Sequence, residues 1–185
     1  MEKELLADAK HRMAKAVDAT RTEFNTVRSG RASTALLDRV TVDYYGTRTP
    51  LQQLANVAAP EARLLTVTPY DKTAMKSIEK AIRESDLGLN PASDGQLIRL
   101  PVPHLTEERR RELVKLVHRL AEDGRVAVRN IRRDAMKDLR ELVKEGLVGE
   151  DSEHRAEDEL QKITDAHVKQ IDELLKHKED EILEV

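Results

Sequence analysis

Cysteine and tryptophan are absent from the 185-residue sequence, and its aromatics amount to three Tyr and one Phe, Phe24. Without Cys there is no disulfide, no thiol nucleophile and no thiolate zinc site. A cysteine-free chain fits a reducing, cytoplasmic setting. With so few aromatics the core must come from Leu, Ile, Val, Ala and Met, which suits helices that each bury one stripe. No run approaches the roughly 20 apolar residues of a membrane helix, so no membrane partner is expected. The charged opening Met1-Glu2-Lys3-Glu4-Leu5 leads straight into helical periodicity, unlike a signal or transit peptide. Glycine is scarce and never spaced as a phosphate loop, G-x-S-x-G does not occur, and the six His contain no H-E-x-x-H pair. No active site, metal or cofactor is therefore expected.

What the sequence has in quantity is charge: 36% of residues are charged against 39% hydrophobic. The net charge of −3 hides an uneven distribution. Residues 106–145 carry 12 Lys/Arg and 9 Asp/Glu, whereas residues 146–185 carry 5 and 13. For docking on a polyanion the local field matters more than the total.

Apolar residues at three- and four-residue steps (Leu6, Ala9, Met13, Val17, Thr20, Phe24, Val27) predict a first amphipathic helix, which Ser29-Gly30 can end. The period then becomes two. Val40, Val42 and Tyr44 read as a strand, Gly46 to Pro50 as a turn, and Arg63 to Thr68 as a second strand. Asp71 is a candidate N-cap for a short helix with Met75, Ile78 and Ile82 on one side, and Gln96 to Leu100 reads as a last strand. Pro101-Val102-Pro103-His104-Leu105 forms a stiff linker. Thr106 then caps a long helix with the stripe Leu113, Leu116, Val117, Leu120, Val128, Ile131, Ala135, Leu139 and Leu142, ending near Glu145-Gly146. A third helix starts near Asp151-Ser152, with Leu160, Ile163, His167, Ile171, Leu174, Leu175 and Ile182 on its apolar side. Three one-sided helices fit a single bundle, with the middle of the chain inserted.

Arginines on the second long helix are grouped. At about 100° per residue, Arg125, Arg132 and Arg133 lie within about 60° of Arg129, opposite Leu120, Gly124 and Leu142. Guanidinium groups bind phosphates bidentately and stack on bases. On pattern alone the stripe reads more readily as a solvated face with intrahelical ion pairs than as an RNA-binding one. The cluster Arg109-Arg110-Arg111 sits among Glu107, Glu108 and Glu112 and favours that plainer reading. Gly30, between Arg28 and Arg31, reads either as a hinge or as a helix-terminal glycine. Gly124 inside a helix points to close helix packing. His167 reads as a hydrogen-bonded core His and Lys178 as a snorkelling residue. Tyr44 shares the face of Val40 and Val42, while Tyr45 points the other way and is left open.

Val27-Arg28-Ser29-Gly30-Arg31-Ala32-Ser33, Asp43-Tyr44-Tyr45-Gly46-Thr47 with Thr49-Pro50-Leu51, Ser85-Asp86-Leu87-Gly88-Leu89-Asn90-Pro91, Arg125 to Asp134, and Leu160 to Asp165 stand out as motifs. Together these segments resemble those of bacterial ribosome recycling factors. The resemblance spans essentially the whole chain. It implies an α+β fold: an elongated three-helix bundle (1–29 and 106–185) with a small β/α/β domain inserted (30–105), in an L-shaped two-domain arrangement. Hinges are implied at 29–33 and 101–105, through Ser29, Gly30, Pro101, Pro103, His104 and Leu105. The implied function is non-enzymatic: with elongation factor G and GTP, a cytoplasmic monomer splits post-termination ribosomes and frees them from mRNA. Arg129, Arg132, Arg133, Arg125, Arg110, Arg28 and Arg31 are the expected contacts to large-subunit rRNA. Ser29, His104 and Val185 stand where the family more often has Thr, Pro and an aromatic residue. Readings as a helical protein adaptor, or as a hydrolase with a hidden acid pair, lose their place beside this resemblance.

Overall fold

The computed structural model describes residues 1–184; Val185 lies outside them. In chain order the elements are α1 (Glu2–Thr26), β1 (Thr41–Tyr44), β2 (Thr47–Pro50), the one-turn α2 (Leu51–Leu54), β3 (Ala55–Glu61), β4 (Leu64–Pro69), α3 (Met75–Glu84), β5 (Ala92–Ser93), β6 (Ile98–Pro101), α4 (Glu107–Lys144) and α5 (Glu150–Leu183). Short 3-10 turns occupy Thr34–Leu37 and Lys72–Ala74. The chain forms two compact units, Met1–Arg28 with Glu107–Glu184, and Ser29–Thr106.

In the first unit α1, α4 and α5 pack together along narrow stripes. α1 buries Ala9, Met13, Val17, Thr20 and Phe24, the residues whose spacing predicts the stripe. α4 buries Leu113, Val117, Ala121, Gly124, Val128, Ala135 and Leu139. Leu116, Leu120, Ile131 and Leu142 are only half-buried, at the margins. The helices pack tightly at Gly124: a Cβ there would lie 2.3 Å from Thr20 Oγ1 and 3.2 Å from Ile171 Cδ1. Buried polar groups find acceptors within their own helix. The Thr20 hydroxyl donates to the Ala16 carbonyl (3.0 Å) and the Thr164 hydroxyl to that of Leu160 (2.7 Å). His167 bonds through Nδ1 to the Ile163 carbonyl (2.7 Å). Lys178 is largely covered, its ammonium 2.8 Å from Glu181. α4 ends in a left-handed cap: Gly146 has φ +73°, its N–H donates to the Val143 carbonyl, and the Leu147 N–H reaches back to that of Leu142. Leu139, Val148 and Ala156 close the core beside this turn, with Leu5, Leu6, Leu142 and Val143 around them.

The second unit is richer in strands than the sequence reading. Thr47–Pro50, read there as a turn, is a strand paired antiparallel with β1, from Thr41↔Pro50 to Tyr44↔Thr47. β3, which the periodicity did not reveal, contains Pro60 and lies at the edge of an antiparallel sheet in the order β3-β4-β6-β5. An edge strand tolerates a residue without an N–H, and the pairing slips between Ala58 and Glu61. The β4–α3–β6 order of the expected β/α/β module is present, but β4 and β6 are direct antiparallel neighbours, from Leu64↔Pro101 to Val67↔Ile98. One core unites the unit: Leu37, Val42, Leu51, Leu65, Val67, Ile78, Ile82, Ile98 and Leu100 are all buried. Asp71 accepts from the Thr73 backbone N–H (3.0 Å) and hydroxyl (2.7 Å) and caps the 3-10 turn before α3. These bonds, with one donated by the Tyr44 hydroxyl (2.9 Å), hold its carboxyl below the usual range.

The first helix stops at Thr26, before Ser29-Gly30. Ser29 is buried, and Gly30 takes φ +78° with no room for a side chain: a Cβ would come within 2.7 Å of Leu105. Beyond this contact both linkers are fastened to the β3–β4 turn. The Ala32 N–H donates to the Ala62 carbonyl (2.7 Å) and the Val102 N–H to that of Arg63 (2.8 Å). Among the described residues no helix is long and apolar enough to cross a membrane.

Candidate nucleic-acid interface

α4 is a rod of 38 residues, about 57 Å at 1.5 Å per residue. Burial of Val117, Ala121, Gly124, Val128, Ala135 and Leu139 fixes its rotation. The opposite side is thereby turned to solvent, and the arginines named from the sequence differ in how free they are there.

Arg125 is the least available. Its side chain is 19% exposed, with Nε and Nη2 each 2.8 Å from Asp172 on α5 and Nη1 3.0 Å from Glu122. Burial works against its charge, but the bonds to Asp172 and Glu122 outweigh it and raise its pKa further. Arg129 is 54% exposed, and its one ion pair, 3.2 Å to Glu122, shares that carboxylate with Arg125. Among the described residues no carboxylate pairs with Arg132 or Arg133. Arg132 is half-buried, and its Nε is out of solvent with no acceptor. Its guanidinium is thus packed in place while its charge stays uncompensated.

The face continues beyond the residues the sequence reading named. Arg129, Arg132, Arg133, Lys137, Arg140 and Lys144 line a shallow groove of about 540 Å³ along α4, together with the apolar Met136 and one acid, Glu141. The helical wheel carried this signal: Lys137, Arg140 and Lys144 fall within about 80° of Arg129. Six cations against one carboxylate make a strip that attracts a polyanion, and a rigid helix holds them at fixed spacing.

The other named arginines are not among the residues that line this groove. Arg110 is half-buried near the start of α4, its Nε also without an acceptor, while Arg109 pairs with Glu112 (2.8 Å) and Arg111 with Glu107 (2.6 Å). That cluster behaves largely as the intrahelical ion-pair reading expects. Arg28 and Arg31 are exposed on either side of Ser29-Gly30, Arg28 in the first unit and Arg31 in the second. Among the described residues no three His, Asp or Glu side chains converge as a metal set.

Comparison with known proteins places these features in context. The profile of the family described as ribosome recycling factor matches residues 20–183. The ribosome-recycling factor of Shouchella clausii is 60% identical over 185 residues, covering all of both chains. That of Rubrobacter xylanophilus is 59% identical over 180 residues, 97% of each chain. Among solved structures, a solution structure of the ribosome recycling factor superposes with a TM-score of 0.71 at 42% identity, covering 100% of this chain and 98% of the other. A second is described as models for the T. thermophilus ribosome recycling factor and the E. coli elongation factor G bound to the E. coli post-termination complex. It gives a TM-score of 0.63 at 48% identity, over 99% of both chains.

Proposed function

The chain belongs to the ribosome recycling factor family, and from that premise we propose that it binds large-subunit rRNA through the basic face of α4 while elongation factor G, with GTP, splits the post-termination ribosome. It acts as a translation factor rather than an enzyme, in the cytoplasm and as a monomer; the GTPase is its partner. One observation carries the rRNA reading: among the described residues Arg132 and Arg133 have no carboxylate partner, and they stand on a rigid helix at the head of a cationic groove that runs on to Lys144. Guanidinium groups held in a row match the regular phosphates of a structured RNA. Arg129 joins them because Glu122, already bound by Arg125, neutralises it only in part. Arg110, Arg28 and Arg31 supply outlying contacts.

In this reading the unit Ser29–Thr106 is the part that moves. Ala32 and Val102 are hydrogen-bonded into it, so rotation falls on Ser29 to Arg31 and on Pro103 to Leu105, with Gly30 against Leu105 as the pivot. Few backbone torsions need to change for a large swing.

Light scattering of post-termination ribosomes tests the function: the signal should fall only when this protein, elongation factor G and GTP are all present. Arg132→Ala tests the face. Its ribosome affinity should drop, and the slope of log affinity against log salt should shrink by about 0.8, one phosphate's worth of released counterions. An unchanged slope would remove Arg132 from the phosphate contact.

A further inference from the structure

We infer that Glu122 limits the affinity of the α4 face: held in place by Arg125, its carboxylate competes with an RNA phosphate for Arg129, so that the factor can leave after splitting. The inference deepens the rRNA reading above and rests on it.

Position sets Glu122 apart. On the wheel of α4 it lies within about 20° of Arg129 and Arg133 and in line with Arg140. From Arg111 to Lys144, every other ionisable residue of α4 within about 60° of that direction is basic, Lys115 and Arg119 before it and Lys137 after it included. A single acid thus interrupts a cationic line of about nine turns.

Its carboxylate is also pinned. Asp172 on α5 takes Nε and Nη2 of Arg125, both at 2.8 Å. Arg125 Nη1 is left to hold one oxygen of Glu122 at 3.0 Å, and the other oxygen lies 3.2 Å from Arg129 Nη1. Arg125 is largely covered, so it serves as a fixed post, while Glu122 is half exposed and keeps its charge at the surface where RNA would arrive. For Glu122 to withdraw, its bond to Arg125 has to break. For Arg129 to grip a phosphate while Glu122 stays, two anions have to share one guanidinium.

A plain helix ion pair explains less. Asp172 by itself neutralises the one cation that is mostly buried, so the Glu122 charge is not needed there. Its effect falls on Arg129, a cation of the groove. Each phosphate neutralised adds to affinity, and among related complexes affinity is set mainly by the rate of leaving. A face with every cation free would hold the large subunit for longer than a factor used in many rounds can tolerate.

Glu122→Gln tests this, because it removes the charge and keeps the shape. Affinity for isolated large ribosomal subunits should rise about fivefold, the factor expected of two like charges about 4 Å apart in water. The salt dependence should steepen, and dissociation should slow in proportion. With the factor limiting, multiple-round splitting with elongation factor G and GTP should slow while the first round keeps its wild-type rate. In an Arg129→Ala background the same substitution should change affinity by less than about twofold. Unchanged or lower affinity would overturn the inference and leave Glu122 a helix ion pair. So would a gain that survives Arg129→Ala, or multiple-round splitting that does not slow or slows only because the first round does. If neither Arg129→Ala nor Arg132→Ala weakens subunit binding, the rRNA reading of α4 itself fails, a result those two variants report without Glu122 being touched.

Discussion

The two units of this chain solve the problem of a small core in different ways. The bundle spreads its apolar contacts along three helices, one narrow stripe each, and ties their flanks with charged pairs. Arg12 on α1 reaches Asp134 on α4, Arg125 reaches Asp172 on α5, and His118 meets Glu179. The inserted unit instead gathers residues from β1, β4, α2, α3 and β6 around a single centre, and its strands are joined by backbone ladders. The difference teaches where a substitution will be felt. Damage to a compact centre is shared by the whole unit; damage to a stripe is local, unless it falls where all three helices meet.

The largest effect should come from the compact centre. Ile98→Ala removes a fully buried side chain from the middle of the sheet and should cost about 2–5 kcal/mol. In urea the inserted unit should then unfold well before the bundle, with most of the helical circular dichroism retained. A single shared transition would erase the contrast between the units. Next is the crossing of the helices. Gly124→Ala forces a methyl group to within 2.3 Å of Thr20 Oγ1 and should cost about 1–3 kcal/mol in overpacking. Adding Thr20→Ala should return part of that loss, since the two sites touch; full additivity would mean that the helices simply move apart. Smallest are the arginines. Arg125→Ala should lower stability by about 1 kcal/mol at most, because its acidic partners are half exposed, while Arg129→Ala should leave the melting curve unchanged and weaken ribosome binding. Equal effects on stability would dissolve the distinction between a seam arginine and a surface one.

The same contrast explains what the sequence disclosed. Long helices repeat one pattern many times, so the buried residues of α1 and the position of His167 could be named from spacing alone. The inserted unit has strands of two to seven residues, so alternation disclosed β1, β4 and β6 but left β2, β3 and β5 unread. β3 carries Pro60 and β2 ends on Pro50, residues that edge strands tolerate. For the arginine face, angular position was legible but partnership was not. Arg125 and Arg132 look alike on a wheel, and the partner that spacing could not reveal is Asp172, 47 residues further along the chain. Lys137, Arg140 and Lys144 were within reach of the same wheel and needed only a longer window. Tyr45 stayed undecided because strand alternation does not reach it: it lies exposed in the β1–β2 turn, with φ +49°.

The paired bonds from Ala32 to Ala62 and from Val102 to Arg63 have a topological consequence. Because the chain arrives and departs beside neighbouring residues of one turn, the insert has its two ends together, as a self-contained graft does. For the bundle, carrying it is thermodynamically close to carrying a short surface loop, because closure entropy depends on the separation of the ends and only weakly on what lies between them. Length and content of the graft are therefore free to change, by deletion, exchange or circular rearrangement, without the bundle's own sequence having to answer for it.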